Sequence, residues 1–163
     1  MTHPHSAFQF LDPEPMIDGD LELVLVERAP AAESKWKAPH YVFHMVDRET
    51  GEKFGRISFR AGPPIGNLRF AGQVGYFVEE EHRGHRYAER SCRLLFPFIR
   101  RHGFQELWIT CGPENIASRR ILERLGAVLI DTVDVPPDYP MDEGAVRRKC
   151  IFRLDPEMSF VVI

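Results

Sequence analysis

Apolar and polar residues alternate with a period of two along several short runs. LELVLVERA (21–29), YVFHMVD (41–47) and FGRISFR (54–60) each fit a strand with one buried face. RETGEK (48–53) separates the last two and predicts a hairpin turn. PAAESKWKAP (30–39) reads as a loop or a short helix, ended by Pro39. Residues 1–19, rich in Pro, His and Asp, are expected to form an irregular lead-in, and AGPPIGNLRFAG (61–72) a Gly/Pro-rich loop. QVGYFVE (73–79) is a further strand. Gly75 inside it marks a bulge or a close backbone approach.

The period then changes. From Tyr87 to His102 the apolar positions Leu94, Leu95, Phe98 and Ile99 fall on one helical face; Gly103 ends the run and Pro97 is expected to kink it. ELWITC (106–111) is a short buried strand. ENIASRRILERLG (114–126) is a second helix, between Pro113 and the stop at Gly126, with Ile116, Ala117, Ile121 and Leu125 as its expected buried stripe. VLIDTVDV (128–135) and VRRKCIFRL (146–154) are two more strands, joined by PPDYPMDEGA (136–145). This order predicts one α+β domain over residues 1–163: a mixed, mostly antiparallel central sheet flanked by helices. The strand–helix–strand unit in its middle predicts at least one parallel pair.

Composition narrows the function. A net charge of −3 gives no global reason to bind nucleic acid, and no apolar run is long enough for a membrane span. The N-terminal residues do not read as a signal peptide. Cys92, Cys111 and Cys150 form no CxxC pair and are read as reduced thiols of a cytoplasmic protein. Local charge is different. Between His82 and His102 there are six arginines and one glutamate, Glu89. Within EEEHRGHRYAERSC (79–92) a glycine turn runs straight into a helix N-terminus, whose free N–H groups suit an anion. Arg83 and Arg86 add full positive charge, so the stretch reads as a cradle for a pyrophosphate; charge alone would also fit a solvated loop. Neither GxxxxGK[ST] nor GxGxxG is present. His82 and His85 lack a third ligand nearby, so no metal is expected. Arg90, Arg93, Arg100 and Arg101 read as an exposed helix face.

VEEEHRGHRYA resembles the acetyl-CoA-binding signature of the GNAT superfamily of N-acetyltransferases, Arg/Gln-x-x-Gly-x-Gly/Ala. Arg83 and Ala88 match it, Gly84 keeps the common Arg-Gly pair, and Arg86 stands where glycine is usual. CGPENIASRRILERLGA (111–127) is similar to the Asn-x-x-Ser-x-x-x-Leu-Glu-x-x-Gly helix of the ribosomal-protein-alanine acetyltransferase-like branch, and the whole chain looks similar to a bacterial subgroup of the superfamily. The resemblance implies a GNAT acyl-CoA N-acyltransferase fold and direct acetyl transfer from acetyl-CoA to a primary amine, with no metal. It places acetyl-CoA on Phe77, Val78, Arg83, Gly84, His85, Arg86, Tyr87, Ala88, Asn115 and Ser118. The amides of Phe77 and Val78 would grip the pantetheine beside a bulge seeded by Gly75. The tyrosine that many relatives use as general acid is replaced by Leu122, so Ser118 becomes the expected catalytic proton donor. Glu79, Glu80 and Glu81 are candidate bases. Cys111 is expected to be a small buried residue rather than an acyl carrier, and His44 a packed one.

The acceptor is expected to be a small-molecule or peptide amine. Trp36 and Tyr139 lie in loops that would flank its cleft. Asp138, Asp142 and Glu143 would form an acidic lip suited to a cationic amine. The protein is expected as a monomer or homodimer. An alternative from the same fold is a non-catalytic acyl-CoA-binding regulatory module. A third is a basic-helix adaptor for an acidic protein or RNA.

Overall fold

The computed structural model describes residues 8–141 and 143–157. Strands β1 (Met16–Asp18), β2 (Leu21–Ala29), β3 (His40–Asp47), β4 (Lys53–Arg60) and β5 (Val74–Val78) form one sheet in that order, antiparallel throughout. Helix α1 (Asn67–Ala71) precedes β5, and α2 (Tyr87–Arg101) follows it. Then come β6 (Leu107–Cys111), α3 (Ile116–Arg124), β7 (Val128–Asp134) and β8 (Arg148–Leu154). The last three strands form a second sheet, ordered β6-β8-β7 and also antiparallel. The α+β expectation holds. Two short elements lie where the sequence suggested none: β1 in the lead-in and α1 in the Gly/Pro-rich loop.

The two faces of the first sheet differ sharply. Leu21, Leu23, Tyr41, Phe43, Met45, Ile57 and Phe59 are buried on one face. They pack on Leu95, Phe96, Phe98 and Ile99 of α2, with Phe98 edge-on to Tyr41 at 4.8 Å between ring centroids. Burying one such large side chain is worth about 1.5–3 kcal/mol, so this face dominates the stability of the fold. The opposite face is polar. Cross-strand register sets His40 opposite Arg60, Val42 opposite Ser58 and His44 opposite Arg56; His44 is half-buried.

Helix α2 runs unbroken past Pro97, which sits on its exposed side. Of the four arginines expected on its exposed face, Arg100 and Arg101 are exposed, whereas Arg90 and Arg93 are half-buried. Arg90 clamps the β1–β2 turn, with Nε 2.7 Å from Asp18 Oδ2 and Nη2 2.7 Å from Asp20 Oδ1. Glu89 is buried and pairs with Arg124 of α3, with Arg93 3.8 Å away, tying the two helices together. On α3 the buried positions are Ser118, Leu122 and the capping Leu125, while Ile116 and Ala117 are exposed. The expected stripe is therefore displaced around the helix. Asn115 is the true N-cap, its side-chain oxygen accepting from Ser118 N–H at 3.1 Å.

The expected parallel pair is absent as a ladder. β5 and β6 meet at one point, where Gln73 N–H donates to the Trp108 carbonyl at 2.8 Å and Trp108 N–H donates to Gln73 Oε1 at 2.8 Å. The Gln73 amide nitrogen donates to the Gly62 carbonyl, also at 2.8 Å. Past that pin no strand pairing joins β5 to β6 among the described residues, and a cleft of about 650 Å³ opens between them.

Candidate functional site: a cleft between two parted strands

The cleft has two walls and a floor. Val74, Gly75, Tyr76 and Phe77 of β5 form one wall; Thr110, Cys111, Gly112, Asn115 and Ser118 form the other. The polar face of the first sheet supplies the floor, including Glu27, His40, Arg56, Ser58 and Arg60, with Trp36 at the side.

Register decides which backbone groups face the opening. Glu79 N–H donates to the Phe54 carbonyl, and β5 pairs with β4 without any register shift. Antiparallel alternation then turns the N–H groups of Gly75 and Phe77 toward β4 and those of Tyr76 and Val78 toward the gap. Phe77 thus does not present its amide to the cleft, as expected from sequence; Tyr76 takes that place beside Val78. The bulge expected at Gly75 is not there either. Gly75 is instead a close approach: a Cβ on it would lie 2.4 Å from Nη2 of Arg60.

Ser118 is buried, and its Oγ lies 2.7 Å from the phenol oxygen of Tyr76. Tyr76 was not singled out from sequence. Burial pushes its phenol well above the ordinary tyrosine value, so it stays protonated at neutral pH. Leu122, at the position where a tyrosine was sought, is fully buried in the core and faces no cleft. Cys111 lines the cleft, and burial raises its thiol to about 11, with Cys150 adding to the effect. It is a neutral thiol, not a thiolate nucleophile, at physiological pH.

A second polar chain crosses the floor. His40 is buried, with Nδ1 2.7 Å from Ser34 Oγ and Nε2 2.9 Å from Glu27 Oε2. Trp36 packs edge-on to its ring at 4.9 Å. Both imidazole nitrogens are engaged, so the chain ends on the exposed carboxylate of Glu27.

The Arg83–Ala88 turn lies beyond the cleft, linked to it through Phe77. Arg83 donates from Nε to the Val78 carbonyl at 3.0 Å, with its guanidinium carbon 5.6 Å from the Phe77 ring centroid. Gly84 has φ 96° and Arg86 has φ 60°, a left-handed conformation at the N-cap of α2. Among the described residues, no acceptor is hydrogen-bonded to the backbone N–H groups of residues 84–89, and neither Arg83 nor Arg86 is ion-paired. His85 lends its carbonyl to Arg90. The Tyr87 side chain is occupied in the fold: its hydroxyl donates to Asp20 Oδ2 at 2.7 Å and its ring stacks on Phe54.

Other expected residues fall elsewhere. Glu79, Glu80 and Glu81 do not line the cleft, nor do Asp138 and Glu143; Asp142 lies outside the described residues. Tyr139 packs on Phe70 at 5.4 Å, not on the cleft wall. The cleft carries Lys35, Arg56, Arg60 and Lys149 against Glu27 and Glu33, which is the reverse of an acidic lip. His82 pairs with Glu52 at 3.2 Å, and no group of three metal-ligating side chains occurs among the described residues. No helix among them is long and apolar enough to cross a membrane.

A strand edge parted from its neighbour thus leads into a helix whose first amides have no acceptor among the described residues. The family model for the acetyltransferase (GNAT) domain matches residues 5–128. The chain belongs to that family, whose co-substrate is acetyl-CoA. Solved structures share the fold at low identity. A Vibrio cholerae protein proposed to be a ribosomal-protein-serine acetyltransferase is 20% identical, with TM-score 0.58, over 88% of this chain and 98% of that one. The ribosomal-protein-S5-alanine acetyltransferase of Vibrio fischeri is 19% identical, with TM-score 0.58, over 72% of this chain and 62% of its own. The Salmonella typhimurium protein yncA, solved with its cofactor acetyl-CoA, is 18% identical, with TM-score 0.57, over 72% and 65%. The chain thus spans just under two thirds of the last two. No curated protein matches it.

Proposed function

We propose that this protein moves the acetyl group of acetyl-CoA directly to a primary amine held on the cleft floor. The observation that carries the reading is the parting of β5 from β6, which leaves the Tyr76 and Val78 N–H groups unpaired beside the Tyr76–Ser118 hydroxyl pair. Residues 84–89 fit the pyrophosphate: among the described residues their N–H groups are unbonded, and Arg83 and Arg86 supply charge without carboxylate partners. Acetyl-CoA supplies the activated acyl group as a thioester.

The cleft residues then divide the work. The Tyr76 and Val78 N–H groups face the side where negative charge develops on the carbonyl oxygen, as an oxyanion site requires. The acceptor nitrogen attacks the carbonyl carbon and the carbon–sulfur bond breaks. Glu27, oriented by His40, takes the proton that the nitrogen loses. His40 is a positioning residue here. The departing sulfur carries the electron pair. The Tyr76–Ser118 pair stabilises it as a chain, one hydroxyl donating to the sulfur and the other donating to that hydroxyl, without losing a proton, because both are weaker acids than a thiol. Solvent supplies the proton that completes the thiol. The neutral Cys111 thiol supports direct transfer over an acyl-enzyme step.

The test is CoA release across a panel of amines: peptide N-termini, amino acids, polyamines and aminoglycosides. Saturable release with one class, dependent on Tyr76, supports the reading. Tight acetyl-CoA binding with no release from any amine would instead favour a regulatory module.

A further inference from the structure

Among the described residues, Arg60 is a charged side chain without a counter-ion. It is only 9% exposed. Nη1 donates to the carbonyls of Ala71, at 2.8 Å, and Gly72, at 3.1 Å, and the guanidinium carbon lies 4.3 Å from the Trp36 ring centroid. Nε is buried with no hydrogen-bond partner, and Nη2 has none among the described residues. No carboxylate of the described residues lies within ion-pair distance. Burial lowers its pKa to about 10, so it remains a cation at neutral pH. Placing an unpaired cation in an interior is costly, and such a charge is normally met by an anion. The guanidinium lies close against Gly75, where a Cβ would come within 2.4 Å of Nη2.

Arg60 lines the same cleft as the Glu27 carboxylate, and its cross-strand neighbour is His40, which holds that carboxylate. The floor therefore carries a positive pole on β4 and a negative pole on β2, with His40 of β3 between them. Resting on the transferase reading above, we infer that the acceptor is a small amine bearing its own carboxylate, of the amino-acid class, with the carboxylate seated on Arg60 and the amine turned toward Glu27. A planar guanidinium with unused N–H donors matches a planar carboxylate. A cationic amine without an anion would leave Arg60 unpaired and face the cleft's surplus of Lys and Arg. The cationic acceptor expected from the loop acids is replaced by a zwitterionic one.

The experiment uses the full chain and matched pairs: glycine, L-methionine, L-phenylalanine and L-glutamate, each against its α-carboxamide, with CoA release measured at saturating acetyl-CoA. An acid is expected to exceed its amide in kcat/KM by roughly 100-fold, because a site built to bond a group rejects the analogue lacking it. Amides accepted as well as acids overturn the inference. Arg60→Gln should bring the acid and its amide to within a few fold, with KM for acetyl-CoA unchanged. A purely structural Arg60 would lower both classes alike, and that result also overturns it. If no pair turns over, the N-acetylated acids and amides are titrated into the CoA-loaded Trp108→Phe variant while the fluorescence of Trp36 is followed. A response to at least one acid and to no amide upholds the carboxylate seat; no response to any acid overturns it. Calorimetry of acetyl-CoA alone reports on the donor side, so failure of the transferase reading is seen separately.

Discussion

Replacing Tyr76 by Phe removes one oxygen from the cleft and leaves the ring packed against the core. The lost contact is the 2.7 Å hydrogen bond to Ser118 Oγ. Its contribution to folding is modest, about 1 kcal/mol, because a typical intramolecular hydrogen bond nets only that much. Its contribution to turnover should be larger. Removing one preorganised donor from a site of developing charge costs roughly 100–1000-fold in rate, or about 2.7–4 kcal/mol. Tyr76→Phe should therefore lower kcat about 100-fold while KM for acetyl-CoA stays within a few fold. Ser118→Ala should do the same. The double variant should be little worse than either, because the two hydroxyls act as one chain. Burial holds the phenol protonated far above neutral pH. The wild-type kcat profile should then show no alkaline limb from Tyr76 below about pH 10, the ordinary tyrosine value. The assay is steady-state CoA release on a carboxylate-bearing amine, with a thermal melt as a control for folding. Turnover of Tyr76→Phe within twofold of wild type would refute the reasoning and leave solvent as the sole support of the leaving sulfur.

Arg83→Glu should weaken acetyl-CoA binding by well over tenfold, since repulsion replaces attraction near a pyrophosphate at the unbonded amides of residues 84–89; unchanged affinity by calorimetry would move the phosphates elsewhere. Arg86→Gly removes a side chain from a left-handed residue at φ 60°, which relieves about 1 kcal/mol of strain against a similar gain in unfolded-chain entropy; stability by denaturant titration should change little while acetyl-CoA binds more weakly. Asp20 is held below the ordinary carboxylate range by the Tyr87 hydroxyl first and Arg90 second. Its stabilising effect is present above the unfolded value and is lost as pH falls through the folded one, so Asp20→Asn should flatten the acid limb of a melting-temperature profile, and an unchanged limb would exclude it. Glu27→Gln should lower kcat/KM by roughly 100-fold or more, the usual contribution of a general base; unchanged turnover would assign the base elsewhere.

The long elements were legible because their apolar periodicities are strong. β2, β3, β4 and α2 begin and end within a few residues of where alternation, Gly103 and the turn residues place them. β1 and α1 were not, since three residues beside a Gly-Asp turn and five between Gly66 and Gly72 carry too little pattern to register. The stripe on α3 differs because Ser118, which faces the core, is polar and leaves no mark in an apolar pattern, while the apolar Ile116 and Ala117 are exposed. The turn at Arg83–Ala88 and Ser118 could be marked by resemblance. Tyr76 could have been marked by chemistry alone, because a tyrosine on the apolar phase of a strand has a hydroxyl that needs a partner. Arg60 carries no such signal. An arginine at a strand end usually faces water, and only the approach of Trp36 and Gly75 encloses it.

Gln73 has a consequence for how such a protein can diversify. One buried side-chain amide joins β6 to the loop ahead of α1, accepting from Trp108 N–H and donating to the Gly62 carbonyl. Glutamate lacks the donor and leucine lacks both groups, so either replacement opens the joint. The aperture between the strands is thereby locked, while Glu27, Trp36, His40 and Arg60 sit on segments separate from the turn at residues 83–88, which we propose meets the donor. Acceptor choice can drift by exchange of those four side chains, with neither the grip on the acyl donor nor the width of the opening having to be reinvented each time.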